Sequence, residues 1–348
     1  MRNTNRQWRL VSYPEGMPHV TDWALSESPI PQPGSGEMLV RALYLDVAPY
    51  MRGRISSQPN YAGGVSPGDV MVGGGIGEVL HSNTPVYQPG DLVVTDFAFG
   101  WQDFAVLSPG VVRRVDPTVA PLPCWLDFLG PNGPTAYFGL VDAAAMKPGD
   151  TVVISAAAGS VGQIAGQIAK LAGGRVIALT SSDEKLAWCR ELGYDDGLNY
   201  RAESDLSAAI ARVCPNGVDV FFDNTAGPLH DAVVQHLAPH ARITLCGTVS
   251  LADRFGQPDI GPRFWRHLLV ARARIQGFLV LDYQQRYQEA WTRLAQWYRA
   301  GVLKSRFDIA EGLEQMPTAF LRLLTSQNLG KQLGRVDELT ITSCFYLR

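Results

Sequence analysis

Apolar positions along the chain fall into two textures. Up to about residue 125 they form short runs, Met38–Leu45, Val70–Val72, Leu92–Val94 and Val111–Val115, broken by Pro and Gly. The turn triplets Pro67-Gly68-Asp69 and Pro89-Gly90-Asp91 lie among them. Short strands parted by such turns predict an irregular β barrel or sandwich over residues 1–125. From about 126 to 305, strand-like and helix-like stretches alternate. Thr151–Ser155 is β-rich, Gly162–Ala172 places Ile164, Ile168 and Leu171 on one helical face, and Arg175–Thr180 is a second strand. Asp183–Leu192 follows as a helix, capped by Ser182 and ended by Gly193. A serine oxygen accepts first-turn N–H groups, and glycine tolerates the left-handed exit. Asp219–Phe222 and Arg242–Cys246 are further strands, and Gln284–Ala300 is a long amphipathic helix closed by Gly301. This alternation predicts an α/β domain with a doubly wound parallel sheet over 126–305. Residues 306–348 read as a return to the first domain, with a helix over Glu314–Ser326 and a strand over Lys331–Val336. Nothing in Asp337–Arg348 points to a role.

Length and composition bound the picture. A chain of 348 residues exceeds one ordinary core and suits two. Hydrophobic content of 46% against 18% charged residues is that of a globular protein rather than a disordered one. A net charge of −3 gives no footing for nucleic acid or an anionic membrane as partner. No apolar run is long enough to span a bilayer. The opening Met1-Arg2-Asn3-Thr4-Asn5-Arg6 lacks the apolar stretch of a signal peptide, so a cytoplasmic location is expected. The cysteines, Cys124, Cys189, Cys214, Cys246 and Cys344, are scattered without a CxxC pair. They read as reduced, mostly buried thiols rather than a disulfide framework or zinc knot.

The strongest motif is Ser155-Ala156-Ala157-Ala158-Gly159-Ser160-Val161-Gly162, which follows a strand and opens a helix. Small residues let the backbone approach a pyrophosphate, and a helix N-terminus offers free N–H groups and a positive dipole end. The pattern is AxxGxxG, through Ala156, Gly159 and Gly162, because Ala157 stands where the first glycine of GxGxxG usually does. The second strand then ends in Thr180-Ser181-Ser182, followed by Lys185, with no carboxylate at its tip. A carboxylate there would bond the ribose 2′-OH of NAD. Hydroxyl donors and a cation instead suit a 2′-phosphate, so the expected cofactor is NADPH. Asp183 fits the first turn of the following helix, where negative charge is favourable.

Metal chemistry finds little support. His19, His81 and Cys124 are isolated, and Asp69–Val79 holds glycines where zinc ligands would be expected. Without a Lewis acid, oxidising a simple alcohol is harder than reducing an activated double bond, whose conjugated carbonyl accepts the electrons.

Several segments resemble the leukotriene B4 12-hydroxydehydrogenase / prostaglandin 15-keto reductase family, which includes plant alkenal double-bond reductases and bacterial curcumin-reductase-like enzymes. They are Asn5-Arg6-Gln7, Pro49-Tyr50-Met51-Arg52-Gly53-Arg54, Gly133–Leu140, Ala156–Gly162, Asp223-Asn224, Cys246-Gly247, Gln276-Gly277-Phe278 and Asn328-Leu329-Gly330-Lys331. Together they extend over residues 5–336. The resemblance implies a zinc-free medium-chain dehydrogenase/reductase with a GroES-like catalytic domain (1–125, completed by 306–348) and a Rossmann domain (126–305), usually as a homodimer. It implies that Gly159, Ser160, Val161 and Gly162 meet the pyrophosphate, and Lys185 and Tyr200 the adenosine phosphate end. Asn224 would lie near the dinucleotide, with Cys246, Gly247, Thr248 and Ser250 lining the loop beside it. Phe278, Leu279 and Val280 would border the nicotinamide, and Asn328 would close over it.

One departure matters. Many members carry a Tyr shortly after the Cys-Gly pair, whereas this chain has Ala252 there. Tyr50, in the signature loop, is the first substitute donor for the substrate carbonyl; Tyr61 and the nicotinamide ribose hydroxyl follow. The resulting expectation is NADPH-dependent reduction of the C=C bond of α,β-unsaturated aldehydes or ketones. Three alternatives stay open: quinone reduction, oxidation of a lipid-mediator hydroxyl, and an NADPH-binding protein that has lost catalysis.

Overall fold

The computed structural model describes residues 3–58, 61 and 63–337. In chain order, the elements before Leu126 are β1 (Thr4–Leu10), β2 (Trp23–Pro29), β3 (Met38–Asp46), α1 (Met51–Arg54), β4 (Gly75–Ser82), β5 (Leu92–Thr95), β6 (Phe104–Leu107) and β7 (Arg113–Arg114). Next come α2 (Asn132–Phe138), β8 (Thr151–Ser155), α3 (Ser160–Leu171), β9 (Arg175–Thr180), α4 (Asp183–Glu191), β10 (Asp196–Asn199), α5 (Leu206–Val213) and β11 (Val218–Asp223). They are followed by α6 (Gly227–Val234), β12 (Leu237–Leu245), α7 (Trp265–Ala271), β13 (Arg274–Gly277) and α8 (Tyr287–Arg299). The chain closes with β14 (Phe307–Glu311), α9 (Met316–Leu324) and β15 (Lys331–Arg335). Chain contacts divide into two units. The first holds the residues through Leu126, Phe307–Asn328, and the described residues from Gln332 on; the second is Asp127–Arg306 with Leu329–Lys331.

The first unit is antiparallel and β-rich. Its larger sheet runs β14-β15-β3-β4-β5-β7, with β6 also on β3, and β1 pairs with β2 in a separate ribbon. β3 is central and almost wholly buried, its mostly apolar run interrupted by Arg41, which bonds Glu78 at 2.7 Å. Ile76, Val94, Val115, Leu126 and Leu333 form one of its cores. Arg6 is also inside, where its guanidinium bonds both oxygens of Asp103 at 2.8 and 2.9 Å. Two sequence expectations change here. Val70–Val72 is not a ladder strand: Met71 N–H donates to Trp8 O and Val70 makes one isolated bridge, because the Pro67–Asp69 turn and Gly73-Gly74-Gly75 leave no straight run to pair. Val111–Val115 keeps only the two residues of β7, since Pro109 starts a 3-10 turn over Pro109–Val111.

The second unit is a doubly wound parallel sheet in the order β10-β9-β8-β11-β12-β13. Its apolar strands are buried on both faces, with Val153, Ile177, Phe221 and Ile243 packed against α5 and α6 through Ala209, Ile210, Leu229 and Val233. Strand order reverses between β8 and β11, the position where open α/β sheets bind ligands at the strand C-terminal ends. The Ser182 cap is present, accepting from Lys185 N–H, and Gly193 has φ of 91°. The helix expected over 284–300 begins as a 3-10 segment (Val280–Arg286) before α8, and the one over 314–326 as Leu313–Gln315 before α9. The tail 338–348 lies outside the described residues.

Candidate active site

At the end of β8 the chain turns through Ala156, in the left-handed region at φ 48°, and enters α3. Gly159 is the N-cap and brings no side-chain cap, so the first-turn N–H groups have no intrahelical or capping partner. The two glycines differ in necessity. A Cβ on Gly162 would lie 2.4 Å from Ala156 O and 2.7 Å from Ala157 Cα, all backbone, whereas one on Gly159 would meet only Ala156 O at 3.2 Å. Gly162 therefore permits the close helix–strand approach on which the loop is built. The Ser160 hydroxyl donates to Asp127, which is fully buried and also accepts from Ser305 Oγ and, at 3.3 Å, from Gln163 Nε2. The Ser160 hydroxyl is thus spent within the fold and is not left for an anion. Gly330 N–H donates to Ala158 O at 3.1 Å, tying a late segment of the chain to the same loop.

At the tip of β9, Lys185 Nζ donates to Ser181 Oγ at 3.1 Å, and Tyr200 N–H donates to Thr180 O. Asp183 accepts from Asn199 Nδ2 at 3.1 Å. The tip offers hydroxyls and an ammonium group, with no carboxylate among Thr180, Ser181 and Ser182.

The ends of β11 and β12 are knit together. Asn224 donates its N–H to Ser155 Oγ and its side-chain amide to Ser155 O, both at 2.8 Å. Cys246 and Gly247 N–H groups donate to Asp223 O, and a Cβ on Gly247 would lie 2.9 Å from Asn224 O. Ser250 Oγ donates to Thr225 O at 2.6 Å, while Thr248 is exposed. Burial first, and the Asp223 charge second, push the Cys246 thiol up to about 12, so it stays a neutral thiol. Beyond β13, Phe278 is buried and packs its ring 5.4 Å from that of Tyr283, while Leu279 is exposed and Val280 half-buried. Ala252 is buried in the 3-10 segment Val249–Arg254. Asn328 is buried in the first unit.

In the first unit, Tyr50 precedes α1 and its ring meets Phe97 edge-on at 5.3 Å. The Tyr50 hydroxyl is buried and makes no hydrogen bond among the described residues. Its pKa is raised well above the ordinary tyrosine value, chiefly by burial and then by the charge of Asp46. It is therefore a neutral phenol with an unused donor. Tyr61 is 61% exposed.

The glycine loop and the tips of β8, β9, β11, β12 and β13 thus bring Gly159–Gly162, Lys185, Tyr200, Asn224, Cys246–Ser250 and Leu279–Val280 to one edge of one sheet. Sequence reading missed Asp127, Asp223 as a side chain, and His230, because their partners are distant in sequence; the Asp223-Asn224 pair was the only local sign. Among the described residues no group of three or more His, Cys, Asp or Glu is placed to hold a metal ion. No helix among them is long and apolar enough to cross a membrane.

These features suit a nicotinamide dinucleotide, and comparison with known proteins agrees. Residues 6–115 match the N-terminal domain of oxidoreductase, and residues 160–296 match the family described as zinc-binding dehydrogenase. The chain is 39% identical to the NADPH-dependent curcumin reductase of Escherichia coli, over 96% of this chain and 98% of the relative. It is 35% identical to the NADP(+)-dependent 2-alkenal reductase of Nicotiana tabacum, over 96% and 98%. The crystal structure of CurA from Vibrio vulnificus in complex with NADPH superposes with a TM-score of 0.89 at 38% identity, covering 96% of this chain and 100% of that one. The chain belongs to the zinc-free, curcumin-reductase-like family of medium-chain dehydrogenases/reductases.

Proposed function

We propose that this protein reduces the carbon–carbon double bond of α,β-unsaturated aldehydes and ketones with NADPH, in the cytoplasm. The chain is an NADP-dependent oxidoreductase. The first turn of α3, through Gly159–Gly162, would hold the pyrophosphate, and Ser181 and Lys185 the 2′-phosphate. Asn224, Gly247, Thr248, Leu279 and Val280 would border the nicotinamide end, with Tyr200 at the adenosine end. When bound, NADPH supplies a hydride to the β-carbon of the substrate.

The observation that carries the substrate reading is the buried hydroxyl of Tyr50, which has no hydrogen-bond partner among the described residues. A buried polar atom left without a partner costs stability and calls for an explanation. A carbonyl oxygen that gains negative charge only in the transition state would be its acceptor, and a donor so placed lowers the barrier to reduction. Tyr50 thus supplies the donor that Ala252 cannot, which favours a working enzyme over a binding protein without catalysis. Tyr61, exposed beside the same loop, is the second choice. Curcumin and 2-alkenals, named in two relatives, are both conjugated carbonyl compounds. The test is nicotinamide absorbance with trans-2-alkenals, aryl enones and a quinone, products being identified by mass. Saturated carbonyl products formed with NADPH in preference to NADH are expected; quinol as the sole product would replace the proposal with quinone reduction.

We also propose a homodimer. The sheet ends at β13, and nearby Ile260, Trp265 and Leu269 are 85%, 69% and 76% exposed. Such an edge with apolar neighbours is a natural pairing surface. Sedimentation equilibrium giving twice the chain mass is the expected result.

A further inference from the structure

The Asp223 carboxylate lies at the tip of β11, fully buried, and the cofactor reading leaves it without a task. Its Oδ1 accepts from Ser155 Oγ at 2.9 Å, Thr225 N–H at 2.9 Å, Thr225 Oγ1 at 3.1 Å and Ala226 N–H at 3.0 Å. Its Oδ2 is 2.8 Å from His230 Nδ1, on α6, which must carry the hydrogen because a carboxylate accepts. The bonds to Oδ1 shape the loop. Ala226 is held at φ 57° and ψ −159°, a conformation that residues with a side chain rarely adopt, and Gly227 follows at φ 62°. On the other side Ser250 donates twice to Thr225 O, from Oγ and from N–H. The loop Asn224–Gly227 is thus clamped by the carboxylate beneath it and by the neighbouring strand-end loop.

We propose that His230 is a positioning residue for the cofactor: by holding Asp223 Oδ2 it fixes the carboxylate that fixes the Asn224–Gly227 loop. The proposal rests on the reading of these strand ends as the NADPH site. His230 itself is buried between Asp223 and the rings of Phe221 and Phe264, with centroids at 5.9 and 5.3 Å, so it acts through the loop and not by contact with a reacting atom. Losing its N–H leaves a buried carboxylate oxygen without a donor, which the carboxylate can relieve only by rotating and releasing Thr225 or Ala226.

The test compares wild type, His230→Leu and His230→Asn, the last placing an amide N–H near the position of Nδ1. Two readouts are used: amide hydrogen exchange of residues 224–227 in the nucleotide-free protein, and the Kd of NADPH by nucleotide fluorescence. His230→Leu is expected to speed exchange in this loop and to raise Kd roughly tenfold, with kcat at saturating NADPH nearly unchanged and His230→Asn close to wild type. Unchanged exchange and Kd in His230→Leu, with wild type binding NADPH normally, would overturn the proposal and leave the cofactor reading intact. A loss of kcat with unchanged Kd would overturn it too. Absence of saturable NADPH binding by wild type would overturn both. Should His230→Leu fail to fold, Thr225→Val removes a donor from the loop side of the same carboxylate: weaker NADPH binding then supports the proposal, and unaltered binding defeats it.

Discussion

The strand ends of the parallel sheet and the surroundings of Tyr50 are built on opposite principles. At the strand ends the protein satisfies itself. Asp223 accepts from Ser155, Thr225, Ala226 and His230, Asn224 bonds Ser155, and Ser160 bonds Asp127. What remains for a ligand there is mostly backbone N–H from an uncapped helix, already aimed before anything binds. At Tyr50 the reverse holds: a hydroxyl is buried with no partner in the described chain. A cofactor common to many enzymes can be met by preorganised backbone. A donor for charge that appears only during reaction must be kept unspent, at a cost of about 1–3 kcal/mol in stability.

The largest expected effect breaks the first half of this contrast. Gly162→Ala forces a methyl group into Ala156 O and Ala157, backbone atoms that cannot swing aside. It should destabilise the protein by about 2–3 kcal/mol and reduce NADPH affinity at least tenfold, read by thermal unfolding and nucleotide titration. Gly159→Ala, with a single 3.2 Å contact, should cost less than about 1 kcal/mol in stability. If both variants behaved alike, the loop would not be set by the space at Gly162.

Tyr50→Phe tests the other half. It should lower kcat by roughly 10²–10³ while leaving thermal stability equal or slightly higher, because the variant removes a hydroxyl with no partner among the described residues. A stability loss with unaltered kcat would mean that Tyr50 is a packing residue.

How much of this was open to sequence reading follows from the range of each interaction. Arg175–Thr180, the Ser182 cap and the Gly193 exit were legible to the residue, because period, cap and left-handed exit are local. The AxxGxxG loop was legible for the same reason. Val70–Val72 misled, since an apolar triplet says nothing about whether a partner strand lies alongside. Asp127 and His230 were silent because a buried carboxylate and its donors reveal themselves only when the fold brings distant segments together. Tyr50 was singled out through its signature segment, but its unused hydroxyl is a property of burial alone.

A smaller effect sharpens the cofactor end. Lys185→Ala removes the ammonium that bonds Ser181 at the β9 tip. NADPH should bind roughly tenfold more weakly while NADH changes little, and the NADPH preference of wild type should shrink as salt is added. Equal losses for both cofactors would assign Lys185 to the fold of the tip rather than to the 2′-phosphate.

The smallest effect concerns Cys246, which shares the strand-end rim yet should be chemically quiet. Burial, then the neighbouring Asp223 charge, raise its thiol from 9.0 to about 12. Burial likewise raises Cys189 to about 12 and Cys214 to about 11. Because each folded value lies above the unfolded one, these thiols contribute stability that is whole below pH 9 and is lost as pH climbs toward 12. The unfolded chain would ionise first and be drawn away. Cys246→Ala should therefore leave neutral-pH activity unchanged and shift the alkaline unfolding midpoint slightly upward, measured by circular dichroism across that window. Iodoacetamide at pH 8 should leave folded Cys246 unmodified and alkylate it once the chain is denatured, since the thiolate is the reacting form. Rapid alkylation of the folded protein, read by peptide mass, would show that the rim is less tightly closed around Cys246 than the N–H bonds of Cys246 and Gly247 to Asp223 O imply.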